Sequence, residues 1–582
     1  MDELTAGATA GDAPPELAMA GAYPDFANPE LLAAIPLDAR TVIDIGCSGG
    51  ALGAAYLRLN PAARVLGIDT DEAALAIART RLTEVARCDI QAEDLPFDLS
   101  GGVDVLVYGD VLEHLADPWA VLARHVRHLN PGGAVVVCFP NVEHWSIAYR
   151  LFAGRFDYDE RGLLDRTHLR FFTPRTMRAL LERAGLTPCD VRSRPSDAAA
   201  AARFVEAMRP GLAAIGVDPA EYLGRATPVQ FVWRASLAPR ERLVVASTML
   251  PPQGGVSDVR VIEPAAALAS DPTVFSVVRQ EAEIAPMIEG APHIAVLHRP
   301  LLVGDSGRAR LRALIDRGFL VVTEFDDHPD FLAARGIDVA ELLSFTGVHA
   351  IQTSTEPLAA TLAAWNPEVA VFPNAIRALD PPANFANPDR LTLFFGALNR
   401  EGDWEGLVPA LNSVAAVAGE RLRFSIVHDR ALFDALETEH KTFTPLCDYP
   451  TYLRLLGEAE IALMPLADTP FNRAKSDLKF IEAAACRVAP LASTVVYADS
   501  LTDGRTGLLF TDADSLRARL LHLVAMPELA RALAEAASAY VARERMLAAQ
   551  VTPRLTWYRG LWARRAELDA ALRARVPGLL PG

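Results

Sequence analysis

Lysine is nearly absent from this chain: of its 56 basic residues only three, Lys441, Lys475 and Lys479, are lysine, and the other 53 are arginine. Two of the three stand one helical turn apart in Phe471-Asn-Arg-Ala-Lys-Ser-Asp-Leu-Lys-Phe-Ile-Glu482. A chain that otherwise uses guanidinium keeps there the compact ammonium that suits a phosphate oxygen. A basic excess is missing too. The net charge is −17, so no basic face is available to displace counterions from a nucleic-acid backbone, and nucleic acid is not an expected partner. No apolar run reaches the length of a membrane span. The acidic start Met1-Asp-Glu-Leu lacks the basic and apolar regions of a secretory leader. Together these set the expectation of a cytoplasmic protein with at most peripheral contact to the inner membrane face. The six cysteines, at 47, 88, 138, 189, 447 and 486, form no C-x-x-C pair and no His/Cys cluster. They are expected to be buried free thiols, and no metal is expected.

What the chain does have is length and alternation. Its 582 residues exceed one hydrophobic core and suggest three or four domains, with only the ends, residues 1–20 above all, expected to be flexible. From Thr41 short apolar runs alternate with helical stretches: Thr41-Val-Ile-Asp-Ile, Arg64-Val-Leu-Gly-Ile, Val103-Asp-Val-Leu-Val-Tyr, Ala134-Val-Val-Val-Cys-Phe and Val229-Gln-Phe-Val-Trp. Apolar strands separated by helices predict a parallel sheet covered on both faces, a doubly wound α/β domain over residues 21–238. After the polar break Leu237-Ala-Pro-Arg-Glu-Arg242 the alternation restarts at Leu243 and runs through His293, Phe319, His349 and Val369. The run Asp380-Pro-Pro-Ala-Asn-Phe-Ala-Asn-Pro388 reads as a linker, and further strands follow at Leu391, Arg423 and Ile461, with a helical end from about Pro527. Three α/β units are predicted, over 21–238, 239–380 and 381–545, with C-terminal helices over 546–582.

The first unit carries Val42-Ile-Asp44-Ile-Gly46-Cys-Ser48-Gly49-Gly50-Ala-Leu-Gly53, a glycine-rich turn between a strand and a helix, and an acid at the end of the next strand, Asp69. That spacing lets backbone approach a nucleoside while the acid accepts from ribose hydroxyls; NAD shares the geometry. The order Asp44-Ile-Gly-Cys-Ser-Gly-Gly, Gly67-Ile-Asp-Thr-Asp, Asp110-Val-Leu-Glu-His-Leu-Ala-Asp-Pro118, Leu129-Asn-Pro-Gly-Gly133 and Pro140-Asn-Val resembles class I S-adenosylmethionine-dependent methyltransferases. Ser48 stands where glycine is commoner. The resemblance implies S-adenosyl-L-methionine as cofactor, with Asp44, Gly46, Ser48 and Gly50 around its methionine end, Asp69 on ribose, and Asp89 and Ile90 facing adenine. Asp110 and His114 would lie near cofactor and substrate. Glu113 is read as a solvated helix residue, and Tyr23 and Phe26 as apolar packing, with a cover over the cofactor as the alternative. The segment Leu163-Leu-Asp165-Arg-Thr-His168-Leu-Arg-Phe-Phe-Thr-Pro174 resembles one found in methyltransferases encoded with surface-polysaccharide genes, and Thr173 with Pro174 predicts a helix start. Methyl transfer to a hydroxyl requires a base, for which His168 or His114 is the candidate and Asp165 a neighbour; a hydrogen-bonded structural role for His168 has equal standing.

The lysine segment has its own context. Upstream lies Ile461-Ala-Leu-Met-Pro-Leu, and downstream Ala483-Ala-Ala-Cys and Asp503-Gly-Arg-Thr-Gly. This arrangement resembles the C-terminal domain of nucleotide-sugar glycosyltransferases of the GT-B fold, in which two Rossmann-like domains face each other. The resemblance implies that a helix starting near Ser476 aims its amides at a donor diphosphate, with Lys475 and Arg400 as counter-charges, Lys479 as Lys475's neighbour and Glu482 on the ribose. Gly254 and Gly255 would be the glycine loop of the partner domain, and Asp327 and His328 would lie near the acceptor. Asp326 and Asp327 read equally well as helix caps. Many retaining members carry a glutamate where this chain has Ala474, so Asn472 is the candidate for that contact, and donor identity (UDP-, GDP- or dTDP-linked) and stereochemistry stay open. The reading that emerges is a methyltransferase fused to a glycosyltransferase, acting on a cell-surface glycan or lipid-linked glycan. The alternative is a methyltransferase whose C-terminal half is a non-catalytic glycan- or nucleotide-binding scaffold.

Overall fold

The computed structural model describes residues 25–237, 241–249, 255–279, 284, 288–333, 336–339, 342–379, 384–387, 389–397 and 400–580. Gly254 and Tyr23 lie outside the described residues, as does much of the expected linker. The described chain divides into two compact units near residue 239, with 36–38 and 58–62 counted to the second.

The first unit is built on a seven-stranded sheet: β1 (Thr41–Ile45), β2 (Arg64–Asp69), β3 (Glu84–Arg87), β4 (Val103–Gly109), β5 (Leu129–Pro140), β6 (Leu186–Pro195) and β7 (Pro228–Leu237). Their order is β3-β2-β1-β4-β5-β7-β6. Neighbours from β3 to β5 are parallel. The expectation of a wholly parallel sheet fails at its end: β7 is antiparallel to both β5 and β6. Alternate residues fill two cores, Ile43, Leu66, Leu106 and Val135 in one and Val42, Val65, Val105 and Val136 in the other. Burial on both faces is why these strands read as continuous apolar runs. The topology reverses direction between β1 and β4, and in such sheets ligands bind beyond the carboxyl ends of the strands flanking that point.

The second unit contains two parallel six-stranded sheets. The first comprises β8 (Leu243–Thr248), β9 (Val274–Val278), β10 (His293–His298), β11 (Leu320–Glu324), β12 (Ala350–Thr353) and β13 (Val369–Val371), in the order β13-β12-β11-β10-β8-β9. The second comprises β14 (Leu391–Gly396), β15 (Leu422–Val427), β16 (Lys441–Thr444), β17 (Ile461–Met464), β18 (Ala489–Ser493) and β19 (Leu508–Phe510), in the order β16-β15-β14-β17-β18-β19. Each repeats the reversal, between β8 and β10 and between β14 and β17. The helical end begins at Ala513, earlier than the expected Pro527. The helix Pro527–Glu544 packs on the second sheet through Leu533, Ala537 and Val541. The helix Val551–Ala563 then joins the core of the first sheet through Val551, Leu555 and Tyr558. Arg260, on a π-helical turn Asp258–Ile262, is buried against Glu324 at 2.8 Å and also donates to the Phe372 carbonyl and Asn374 Oδ1. This ties the ends of β11 and β13 together. Among the described residues no helix is long and apolar enough to cross a membrane.

Candidate functional sites

In the first unit the glycine loop leaves β1 with Gly46 at φ +73° and Gly50 at φ +75°, the left-handed region glycine enters without strain. Ser48 lies there as well, at φ 48°, which explains why glycine suits this position. Asp69, at the end of β2, accepts from Ser48 N at 2.8 Å through one oxygen and from Thr70 N and Asp71 N at 2.7 and 3.0 Å through the other. One acceptor site is left, on the oxygen that takes Ser48 N, and it can serve a ribose hydroxyl. Asp44 is buried beneath the loop, and burial together with the Asp69 charge pushes its pKa up to about 7. Beyond β3, Ile90 is buried and Asp89 exposed, its Oδ1 accepting from Gln91 N at 3.0 Å. The Ile90 carbonyl takes the Arg124 guanidinium.

Asp110 follows β4 at φ 54°, a strained conformation for a non-glycine residue and the kind that marks functional turns. Its Oδ1 accepts from Gln230 Nε2 at 2.9 Å, and burial raises its pKa. Onto the turn that follows docks the 165–170 segment: Leu169 N and Arg170 N donate to the Glu113 carbonyl at 2.8 and 2.9 Å. His114 and His168 thereby meet edge to face, with ring centroids 4.9 Å apart. His114 Nδ1 lies 3.2 Å from the Thr167 carbonyl and 3.1 Å from its hydroxyl, and that hydroxyl donates to Asp165 Oδ1 at 2.7 Å. His168 Nδ1 lies 3.3 Å from the Leu163 carbonyl. Burial and the neighbouring His114 lower the pKa of His168, so its neutral, basic form prevails near neutrality. Although burial pushes Asp165 upward, the Thr167 amide and hydroxyl hold its carboxyl below the usual range.

Two expectations are corrected here. Glu113 is not a solvated helix residue: it is 1% exposed, and both carboxylate oxygens lack a hydrogen-bond partner among the described residues. Burial and the nearby Asp110 push its pKa well above the carboxylate range. Phe26 is 63% exposed rather than packed. No metal was expected, yet Glu113, His114 and His168 place ligand atoms within 4.8 Å of one another, the one such group among the described residues able to hold a cation. Glu113 and Thr167 are the residues that sequence reasoning missed. The i, i+1 spacing of Glu113 and His114 gave no signal, because only the docking of the 165–170 segment, itself out of reach of periodicity, gives either a role. Thr173 caps the helix Pro174–Arg183 as expected, in a capping box with Thr176.

In the second unit the segment 470–476 lies between the two sheets. Thr355 Oγ1 donates to the Ala474 carbonyl at 3.1 Å, Asn374 Nδ2 donates to Ser476 Oγ at 2.7 Å, and Phe331 stacks on Phe471. Lys475 Nζ sits 4.3 Å over the Phe471 ring and makes no hydrogen bond or ion pair among the described residues. Burial, then the repulsion of Arg400, lower its pKa to about 8, and Asp327 and Arg299 also act on its charge. Arg400 donates to Asp403 Oδ2 at 3.1 Å and contacts Asn472 Oδ1 at 3.4 Å. Asn472 is buried, its amide donating to Asp403 Oδ1 at 2.8 Å and to the Ala467 carbonyl at 2.9 Å. Among the described residues Asp326 and Asp327 accept from no helix amide and are instead held by one arginine: Arg299 Nε meets Asp326 at 2.7 Å and its Nη2 meets Asp327 at 3.0 Å. His328 turns to Asp330, 3.3 Å away. The helix Leu478–Ala485 starts two residues later than expected, and the carboxylate of Asp477 before it is taken by Arg545. Lys479 is more than a neighbour: its Nζ pairs with Glu482 Oε2 at 3.0 Å. Glu482 is 1% exposed and also accepts from Tyr449 Oη at 3.1 Å and Tyr452 Oη at 3.3 Å.

Fold and sites define a tandem of two transferase domains. Residues 43–135 match the family model "Methyltransferase domain", and residues 389–526 match "Glycosyl transferases group 1". The N-terminal part is 33% identical over 157 residues to a ubiquinone biosynthesis O-methyltransferase of Thiobacillus denitrificans, covering 26% of this chain and 66% of that protein. It is 32% identical over 163 residues to the corresponding protein of Pseudomonas fluorescens SBW25, covering 27% of this chain and 68% of that one. The chain thus spans about two thirds of the length of these relatives. Through its N-terminal part the chain belongs to their methyltransferase family, and its C-terminal part carries a group 1 glycosyl transferase domain. A sucrose-phosphate synthase of Thermosynechococcus elongatus is similar over 55% of this chain and all of that one, at 16% identity and a TM-score of 0.41; this adds nothing to the topology above. A methyltransferase domain implies S-adenosyl-L-methionine, and the left-handed glycine loop and the one acceptor site left on Asp69 fit that cofactor.

Proposed function

We propose that the chain is a bifunctional transferase of cell-surface glycan synthesis. In this reading residues 21–238 methylate a hydroxyl, 239–380 and 381–545 are the acceptor-side and donor-side domains of a GT-B glycosyltransferase, and 546–582 brace those two domains. The observation that carries methyl transfer is the docking of the 165–170 segment on the Glu113–His114 turn, which follows Val111, the residue that packs on Gly46. Asp44, Gly46, Ser48, Gly50, Asp69, Asp89, Ile90 and Asp110 would hold S-adenosyl-L-methionine, which supplies the methyl group when bound. The acceptor hydroxyl must lose its proton, and His168, neutral near pH 7, takes it. His114 is oriented by Thr167, which Asp165 holds in turn, so the chain Asp165, Thr167, His114 fixes the ring against which His168 packs. Calorimetric titration with S-adenosyl-L-methionine tests this. Binding lost in Asp69→Ala is expected, and absence of heat from the wild type would sink the reading.

For sugar transfer, Lys475 and Arg400 support a diphosphate leaving group: the first is a cation with no ion pair among the described residues, and the second follows β14 at the reversal between β14 and β17. Asn472 stands beside Arg400 where a donor sugar would meet it, and Asp327 and His328 lie on the acceptor side. One observation favours the scaffold alternative, namely that Glu482 is already satisfied by two tyrosines and Lys479 while Ala474 offers no carboxylate. Hydrolysis of UDP-, GDP- and dTDP-sugars by wild type, Lys475→Ala and Glu482→Ala separates the two. Turnover lost in the variants supports the transferase, and a wild type that neither binds nor turns over any donor leaves the scaffold.

A further inference from the structure

Within the second unit, the space between Gly255 and Glu482 is filled by the chain itself. Gly255 has φ +82°, and a Cβ there would lie 2.5 Å from Tyr449 Cδ2. The same tyrosine donates to Glu482 Oε1 at 3.1 Å. Tyr449 therefore touches two residues on which the donor reading relies, Gly255 and the buried acid Glu482. We propose that Tyr449 is a gate, an internal occupant of the donor nucleoside subsite that a nucleotide must displace to reach Glu482. The inference rests on the donor reading of this half.

The surroundings separate a movable member from a fixed set. Tyr452 Oη donates to Glu482 Oε2 and accepts from Lys479 Nζ at 2.9 Å, and that ammonium lies 4.1 Å over the Tyr452 ring. Glu482, Lys479 and Tyr452 are thus cross-linked three ways. Tyr449 is held to them by one hydrogen bond and by stacking on Tyr452 at 6.2 Å and 12°. It is the first residue of the helix Tyr449–Gly457, whose cap is Asp448 accepting from Thr451 N at 2.9 Å. In this proposal the ring swings about its own side-chain torsions, and the Asp448 cap and the helix stay in place. Burial and the Glu482 charge push its pKa well up, so the hydroxyl remains a donor at physiological pH and competes with a ribose hydroxyl for the same oxygen. A nucleotide then binds only the fraction of molecules in which Tyr449 has swung out, and its apparent affinity falls by that fraction.

The test is calorimetric titration of UDP, GDP and dTDP into the full-length wild type, Tyr449→Phe and Tyr449→Ala, with thermal unfolding measured alongside. Losing one competing hydrogen bond is expected to tighten binding of at least one nucleotide about fivefold in Tyr449→Phe, and by more in Tyr449→Ala. Adding Glu482→Gln should abolish that gain. A strut joining the sheets would behave oppositely, since its removal would lower Tm and weaken binding. Equal or weaker binding in the folded variants overturns the gate while wild-type binding keeps the donor reading intact. Silence from every protein, wild type included, overturns both. Should Tyr449→Ala fail to fold, Tyr449→Phe keeps the ring and decides.

Discussion

Gly46 and Val111 approach so closely that a Cβ on residue 46 would lie 2.6 Å from Val111 Cγ2, and Gly46 has φ +73°. The contact joins the loop leaving β1 to the turn leaving β4, and so couples the candidate cofactor loop to Asp110, Glu113 and His114. Gly46→Ala is expected to cost about 1–3 kcal/mol of stability in the first unit from overpacking and backbone strain and to lose S-adenosyl-L-methionine binding. Val111→Ala removes the clashing methyl. The double variant should recover part of the stability but not the strain, so chemical denaturation of the four proteins should show it less destabilised than the sum of the two single variants.

The His114–His168 pair makes a prediction in pH. The lowered pKa of His168 means that its basic form persists below the ordinary histidine value of about 6.5. The acid limb of kcat/KM for methyl transfer should therefore have its midpoint below that value. Because His114 contributes to the lowering, His114→Gln should move the limb upward. His168→Ala should reduce kcat by roughly 10²–10⁴-fold. Thr167→Val, which loses only the hydroxyl linking His114 to Asp165, should lower kcat by a smaller factor and leave the Kd for S-adenosyl-L-methionine unchanged. An unchanged pH profile in His114→Gln would remove the coupling.

Lys475 titrates within reach of experiment. With its pKa lowered to about 8, the ammonium is charged below that value and neutral above it. Affinity for a nucleoside diphosphate should be full at pH 6.5–7 and fall as pH rises through 8, a slope that titrations across this range can read. Lys475→Arg keeps its charge throughout and should abolish the slope. Lys475→Met should weaken nucleotide binding at pH 7 and yet raise stability there, because the folded state no longer holds a half-desolvated cation. That stability gain should vanish by about pH 10.4, where the unfolded lysine also discharges.

How much of this the sequence disclosed follows from where each residue sits. Central strands such as Thr41–Ile45, Val103–Gly109 and Ile461–Met464 are buried on both faces, so their apolar runs were legible without periodicity. Edge strands were not: Glu84-Val-Ala-Arg87 and Lys441-Thr-Phe-Thr444 present polar residues to solvent, and Leu186–Pro195 contains two prolines and three charges. The glycine loop and Asp69 were legible because one local turn creates them. The burial of Glu113, and the occupation of Glu482 by Tyr449 from 33 positions away, were not, since both arise from segments that meet only in the folded chain. Lys479 was undervalued for the same reason. Its partner is a helical neighbour, but the buried acid gives the pair its weight.

Glu113 offers the sharpest separation of stability from function. Its carboxyl is buried, has no hydrogen-bond partner among the described residues and has its pKa raised well above the carboxylate range, by burial first and the Asp110 charge second. An acid whose folded-state pKa exceeds its unfolded value binds more protons when folded, so stability falls as pH rises above about 4.3, the unfolded glutamate value. Glu113→Gln removes that slope. The first unfolding transition of the full-length protein should therefore move to higher Tm in the variant at pH 8, with the difference shrinking toward pH 4. The main-chain carbonyl of residue 113 still accepts from Leu169 and Arg170, so the docking of the 165–170 segment survives. If the side chain serves only packing, methyl transfer should be unchanged in the variant. A residue kept ionisable at a cost in stability beside His114 and His168 points the other way, to a variant that is more stable and less active. Initial rates and Tm measured on the same preparation decide between these outcomes.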